Sequence, residues 1–499
     1  MKRIGKFVPV VIWAALLLPF FLGARAAHPA TDDFTFALYT HPTWIQTGSL
    51  PHVLKDALSY ALRTWRDWQG TITGVVIMTL SPIVFSLEHY WVHAVVLLAL
   101  HLVSWFVLCA HVLGRRLGLK PGLWLRLYLL LSAFSLMFLP DMVEGIYWFN
   151  GAWFYTGAQA IALMTLVLCD RFSVTRAGKK TQIFMGIVCC GLLLLLGMDN
   201  YITAMMTAAA LFMMTMQRLF SAMKTPAAGM IGRIVYSPVG VALEETREFG
   251  GLEEKKRQRR AALRTFLLLI PIGAGLLISV IAPGNSVRMA TDGAHQAGMD
   301  YLIASILWTL RDAFFYFVRF LFKTPLLALL IGMTPMIAEA LDGMEERSWR
   351  TPPVPVTVLS CYLVLCAMII PHMYSSGYAG SGRVVNMYHF YVMLSVPVCY
   401  VLILLRMKPR RLAELSDSMT KKRCAVLGIA ALALCLGLGQ MDNYNKLVAD
   451  QRNGTQDAYI AQFQNEYAMC EAAGEADVVE LPAWTVQTMT GKFTAFEDE

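Results

Sequence analysis

The chain has 499 residues, 57% of them hydrophobic and only 15% charged, with a formal net charge of +8. A soluble globular domain carries about 25% charged residues, so this composition excludes one and predicts an all-α, polytopic integral membrane protein. The positive charge does not point to nucleic acid, because the basic residues punctuate apolar stretches and there set membrane topology. Of the ten cysteines only Cys470 stands in a clearly polar region, and no CxxC occurs, which argues against a disulfide framework or a zinc knuckle.

The first predicted element follows the basic start Met1-Lys2-Arg3-Ile4-Gly5-Lys6 and runs from about Phe7 to Ala24. About eighteen apolar residues are long enough to span a bilayer. The same start, followed by Ala24-Arg25-Ala26, also fits a cleavable signal peptide. Counting this first segment, stretches with the required apolar length centre near residues 16, 101, 131, 162, 190, 210, 273, 331, 363, 397 and 432. They make about eleven predicted transmembrane helices. The basic stretches Arg115-Arg116, Arg176 to Lys180, Lys255 to Arg260, Arg406 to Arg411 and Lys421 to Arg423 then fall on the side of the N-terminus. That bias places the N-terminus in the cytoplasm, and the odd count places the tail outside.

Two further stretches, residues 66–87 and Tyr301 to Arg319, carry scattered charges and aromatics and are read as helices lying along or dipping into the outer face. The predicted division is a transmembrane domain over 1–440 and a small extracytoplasmic tail over 441–499. The largest inner loop, Arg218 to Arg264, holds Glu244-Glu245, Glu248 and Glu253-Glu254 before a basic cluster. It reads as a solvated amphipathic segment at the anionic leaflet.

Polar chemistry collects in the outer loops. Asp32 and Asp33 follow the first span, and a carboxylate at the mouth of a helix bundle is a functional candidate. Adjacent carboxylates repel, so one is expected to have a raised pKa while the other stays ionised as a general base. The pair also reads as a cap on a short helix beginning at Phe34. Arg288, beyond Ala282-Pro283-Gly284-Asn285, and Arg383, after Gly377, Gly380 and Gly382, come from different outer loops. A guanidinium suits phosphate oxygens and stabilises a charged leaving group, or else snorkels to lipid headgroups. With Asn285 in the turn beside Arg288, these are the expected donor-phosphate-binding residues.

The loop over Asp141 to Gly157 contributes Tyr147, Trp148, Phe149, Trp153 and Tyr155, which read either as an interfacial aromatic belt or as a surface for a sugar or isoprenoid. Asp141 and Glu144 beside it could hold hydroxyls or a divalent cation, and Tyr378 in the late loop joins the expected substrate-binding set. Asp199-Asn200 is a weaker candidate. His89 and His93 share a metal-ligand spacing, but no third ligand pairs with them. No P-loop, dinucleotide-binding glycine run or nucleophile elbow appears.

Together, Asp32-Asp33-Phe34, the run YWFNGAWFY at Tyr147 to Tyr155, PGN-x-x-R at 283–288, and Tyr378 with Gly382-Arg383 resemble a poorly characterised bacterial family. It belongs with the GT-C glycosyltransferase superfamily and is related to proteins that modify O-antigen and teichoic-acid sugars. The resemblance covers most of the chain, in order, to about residue 400. It implies a multi-span fold in the bacterial cytoplasmic membrane and a polyprenyl-phosphate sugar as donor. Asp32 is implied as catalytic base, with Asp33 as helper or metal contact, and Arg288 and Arg383 on the donor phosphate. The acceptor would be an envelope glycan or lipid. The chain lacks the large outer C-terminal domain of better-known members. A glycan polymerase or ligase would depend on the arginines more than on Asp32, and normally carries one dominant outer loop. A lipid-linked sugar transporter or flippase would need charges deep within spans and paired broken helices.

Overall fold

The structure is a computed structural model that describes residues 7–222, 252–291, 299–341, 353–407, 409–437, 442–473, 486 and 488–490. Among them every regular element is helical. Eight helices are long and apolar enough to cross a membrane: Val8–Ala26, Val92–Arg116, Phe149–Val174, Lys179–Gly197, Lys256–Val280, Asp300–Lys323, Val354–Ser376 and Gly382–Leu405. Pro121–Met137 and Leu326–Leu341 are shorter apolar helices. Residues Glu244, Glu245 and Glu248 of the predicted inner loop lie outside the described residues.

The path begins with α1 (Val8–Gly23). Over the acid pair come the short α2 (Asp32–Ala37) and α3 (His41–Thr47), then α4 (Leu50–Asp67) and α5 (Ile72–Met78). In α4 the buried Val53, Ala57, Ala61 and Thr64 face the bundle, while Leu50, Leu54, Leu58 and Leu62 recur every fourth residue and are exposed. An apolar stripe turned away from the core is how a helix lies in a membrane interface. At about 1.5 Å per residue, the seven residues of α5 are too few to cross a bilayer.

The bundle continues through α6 (Val92–Cys109), α7 (Pro121–Met137), α8 (Phe149–Ala152) and α9 (Ala158–Val174). Next come α10 (Lys179–Gly197), α11 (Tyr201–Ala222), α12 (Leu252–Leu267), α13 (Leu269–Val280) and α14 (Pro283–Thr291). Then follow α15 (Met299–Lys323), α16 (Leu326–Leu341), α17 (Val354–Ser376) and α18 (Gly382–Leu405). The chain ends through α19 (Pro409–Leu415), α20 (Ser418–Gly437), α21 (Asp442–Arg452) and α22 (Thr455–Ala473). Buried side chains of α18, including Met387, Tyr388, Phe390, Val392 and Met393, pack in the main core with those of α7, α16 and α17.

The stretch from Tyr301 to Arg319 departs from expectation. It does not lie flat, for it descends antiparallel to α17, with Tyr301 against Tyr374 at 5.9 Å and Leu310 O accepting the Tyr362 hydroxyl at 2.6 Å. Lower down, Phe320 meets His389 at 5.2 Å, and Thr334 of α16 hydrogen-bonds Tyr400. Both helices therefore run alongside α18 in its own direction, and α15 and α16 form one continued descent broken at Thr324-Pro325. The sequence hides this because the charges of α15 sit on an amphipathic helix with one face against α17 and α18.

The tail packs onto the bundle rather than hanging free. Gln451 donates to Pro19 O at 2.7 Å, and Asn443 donates to Leu139 O at 2.9 Å. Phe463 of α22 lies 4.1 Å from the ring of His28. The tail thus docks on the face that carries the acid pair.

Candidate functional site

Helix α2 starts at Asp32 itself rather than at Phe34, with Thr31 before it at φ 39°. Thr31 is the only non-glycine residue with positive φ among the described residues. Such a conformation costs roughly 1–3 kcal/mol and persists where the surroundings enforce it. Asp33 supplies that enforcement. Its Oδ2 accepts the Ala30 amide at 3.0 Å and the Tyr90 hydroxyl at 2.6 Å, and the Tyr90 oxygen in turn accepts the Phe149 amide at 2.9 Å. Asp33 is fully buried and Asp32 is exposed. Burial pushes the Asp33 carboxyl up to about 7, against the hydrogen bonds from Tyr90 and Ala30 that favour its charge.

Trp148 joins this loop to the start of α18. Its indole N–H donates to Ala30 O at 3.2 Å, and the Arg383 guanidinium stands over its ring at 4.9 Å. Arg383 also lies over Tyr155 at 5.7 Å and faces Glu144 at 3.7 Å, while its backbone amide donates to Glu144 Oε2 at 3.1 Å. Asp141 Oδ1 accepts the Glu144 amide at 2.9 Å, and the Asp141 amide donates to the Asn386 side chain at 2.9 Å. Gly382 has φ +47° and presses on Glu144, so a side chain there would meet both strain and the carboxylate. Single π-type turns at Val143–Tyr147 and Trp153–Gly157 flank α8. Such turns are frequent at functional sites because they re-aim side chains.

Asp33, Asp141, Glu144, Trp148, Tyr155 and Arg383 are therefore brought together by direct contacts or through Ala30. Tyr147 is not among them. It is fully buried, and its hydroxyl donates inward to Phe20 O at 3.1 Å. Tyr378 is 51% exposed and meets the edge of His372 at 4.9 Å.

Arg288 sits on a neighbouring rim, bonded to Gln69 and over Trp68 at 5.9 Å. Arg288 and Arg383 are both close enough to His372 to act on its charge. Asn285 has a different task from the expected one. Its side-chain N–H groups donate to Ser279 O at 2.7 Å and Val280 O at 3.1 Å, and its Oδ1 accepts the Gly70 amide at 3.0 Å. It is a clamp that holds the 68–70 turn against the end of α13, with both amide hydrogens engaged. At Gly284 a Cβ would collide with the Trp68 backbone, so this close approach requires glycine.

Among the described residues no three His, Cys, Asp or Glu side chains converge as a metal-ligand group. The acids Asp141 and Glu144 are spent on Arg383 and on backbone amides. His89 bonds Ser86 at 2.8 Å, whereas His93 is buried against Tyr90 and Phe149. Asp199 is also buried, accepts the Asn200 amide at 2.9 Å, and is pushed by burial up to about 8.

Several of the contacts that hold these residues carry no sequence signal. Tyr90 and Ala30 anchor Asp33, and Asn386 fixes Asp141 through two reciprocal hydrogen bonds, at 2.9 and 2.6 Å. A buried cluster at the basic face was likewise illegible: Asp170 accepts from Arg116, Arg218 and His111, the last at 2.5 Å. Comparisons with protein-family models, with curated proteins and with solved structures give no match to this chain.

Proposed function

We propose that this protein is a GT-C-like membrane glycosyltransferase of the bacterial cytoplasmic membrane, with about eleven crossings, its N-terminus in the cytoplasm and its tail outside. It moves a sugar from a polyprenyl-phosphate carrier to an envelope glycan or lipid at the outer face. The observation that carries this reading is the Trp148 bridge, which ties the acid loop at Ala30 to the guanidinium of Arg383.

In this reading the exposed Asp32 accepts the proton of the acceptor hydroxyl. The freed oxygen attacks the anomeric carbon, and the carbon–oxygen bond to the lipid phosphate breaks with its electron pair going to the phosphate. Arg383, with Arg288 on the adjoining rim, stabilises that negative charge. Asp33 positions the loop from its buried hydrogen bonds to Tyr90 and Ala30 and does not touch substrate. Asn285 positions the turn beside Arg288.

The test compares a deletion strain complemented with wild type, Asp32→Asn or Arg383→Ala, reading envelope glycans and lipid-linked sugars by mass spectrometry. Both variants are expected to insert normally, to lack one sugar and to accumulate its polyprenyl-phosphate donor. Wild-type glycans in Asp32→Asn overturn the assignment. If Arg383→Ala alone is inactive, a polymerase or ligase takes its place.

A further inference from the structure

The basic face carries a groove that the proposed transfer does not use. It has a volume of about 800 Å³ and runs along α10, bounded by the end of α9 and by α12 and α13. Its rim faces away from the bundle, where Ile183 and Ile187 are 53% and 66% exposed. Gly186 and Gly191 line it and keep it open, and no acidic residue lines it. Two cations, Lys179 and Arg264, stand at its basic end.

Arg264 is held in place there. Its guanidinium donates to Gln182 Oε1 at 2.6 Å and lies over the Phe172 ring at 5.7 Å, while Gln182 is itself fixed by donating to Ala177 O at 2.6 Å. A fixed guanidinium and an ammonium at the mouth of an apolar groove complement one phosphate joined to a hydrocarbon chain. From Lys179 to Leu194, α10 rises roughly 22 Å, somewhat more than the ~15 Å half-thickness of a bilayer core. That length suits an acyl chain of one leaflet rather than a far longer isoprenoid.

We propose that this groove binds one anionic phospholipid of the leaflet at the basic face, with its phosphate on Lys179 and Arg264 and an acyl chain along Gly186 and Gly191. The site is independent of the outer-face chemistry.

Native mass spectrometry of the full chain, purified in mild detergent with equimolar phosphatidylglycerol and phosphatidylcholine, tests it. A basic residue near an anionic headgroup contributes about five-fold in affinity, so wild type is expected to retain phosphatidylglycerol at least about ten-fold over phosphatidylcholine. Lys179→Gln and Arg264→Gln should each lose about five-fold of that preference, whereas Arg311→Gln, at an exposed distant site, leaves it unchanged. Gly191→Leu should reduce retention of both lipids without altering their ratio. Equal retention by wild type, or a preference untouched in both charge variants, overturns the proposal. Undecaprenyl phosphate displacing phosphatidylglycerol one for one from wild type but not from Gly191→Leu overturns it too, assigning the groove to the carrier lipid.

Discussion

A carboxyl as deeply buried as Asp33 makes stability depend on pH in a direction opposite to that of a salt-bridged acid. Its pKa rises from 3.8 to about 7 on folding, so between these values the folded state holds more protons than the unfolded one. Stability is then fully present below the unfolded value and is lost as pH rises through the folded value. A shift of about three units corresponds to roughly 4 kcal/mol, an upper figure that solvent relaxation reduces. Asp199 acts in the same direction. The apparent Tm in detergent should therefore fall between pH 5 and pH 8, and Asp33→Asn should flatten that fall. A steeper fall in the variant would show that the Asp33 charge is compensated in the native state. Asp32, exposed one residue away, gives the contrast: Asp32→Asn should leave Tm unchanged.

At the scale of elements, the face that carries the acid pair is assembled by side chains that clamp loops to helix ends. Asn285→Ala would leave the Gly70 amide without its partner, at about 1–3 kcal/mol, while the Ser279 carbonyl keeps the Tyr201 hydroxyl. Its expected signature is a lower Tm with unchanged salt dependence of donor binding, since a clamp carries no charge. Weakened donor binding at unchanged Tm would return Asn285 to the phosphate. Trp148→Phe keeps a ring beneath Arg383 but removes the indole N–H from Ala30 O. A loss of about 1 kcal/mol in stability is expected, with a fall in turnover larger than any change in donor affinity. Equal kinetics in wild type and Trp148→Phe would separate the acid loop from the arginine.

On the scale of the whole molecule, the two faces are held by different means. The face that carries the acid pair uses hydrogen bonds among loops, whereas the opposite, basic end gathers the Ala110–Arg116 turn, α9 and α11 around one carboxylate, Asp170. Arg218 there is buried beside it. Removing one partner of a buried ion cluster leaves an uncompensated charge, worth about 3–5 kcal/mol. Asp170→Ala should accordingly give little monodisperse protein, while Asp170→Ala combined with Arg218→Met recovers part of it. A single variant with wild-type yield and Tm would mean that water already solvates the cluster.

Apolar length and charge placement determined by themselves that this chain is helical and built for a membrane, because those properties depend only on local composition. Seven of the predicted segments coincide with long apolar helices. The eighth, Asp300–Lys323, was hidden by its own charges, of which Arg311 and Asp312 pair with each other on the helix itself. Residue type alone singled out Asp32, Asp33, Glu144 and Arg383, since ionisable groups near apolar spans are conspicuous. Which acid is buried, that Tyr147 turns inward while Trp148 bridges two loops, and that Asn285 serves as a clamp were decided by tertiary structure alone. Each of these depends on partners up to more than two hundred residues away, such as Gly70 for Asn285 and Asn386 for Asp141. No local pattern encodes such a contact, because the hydrogen bond that fixes a side chain's role exists only once the distant backbone has been brought to it.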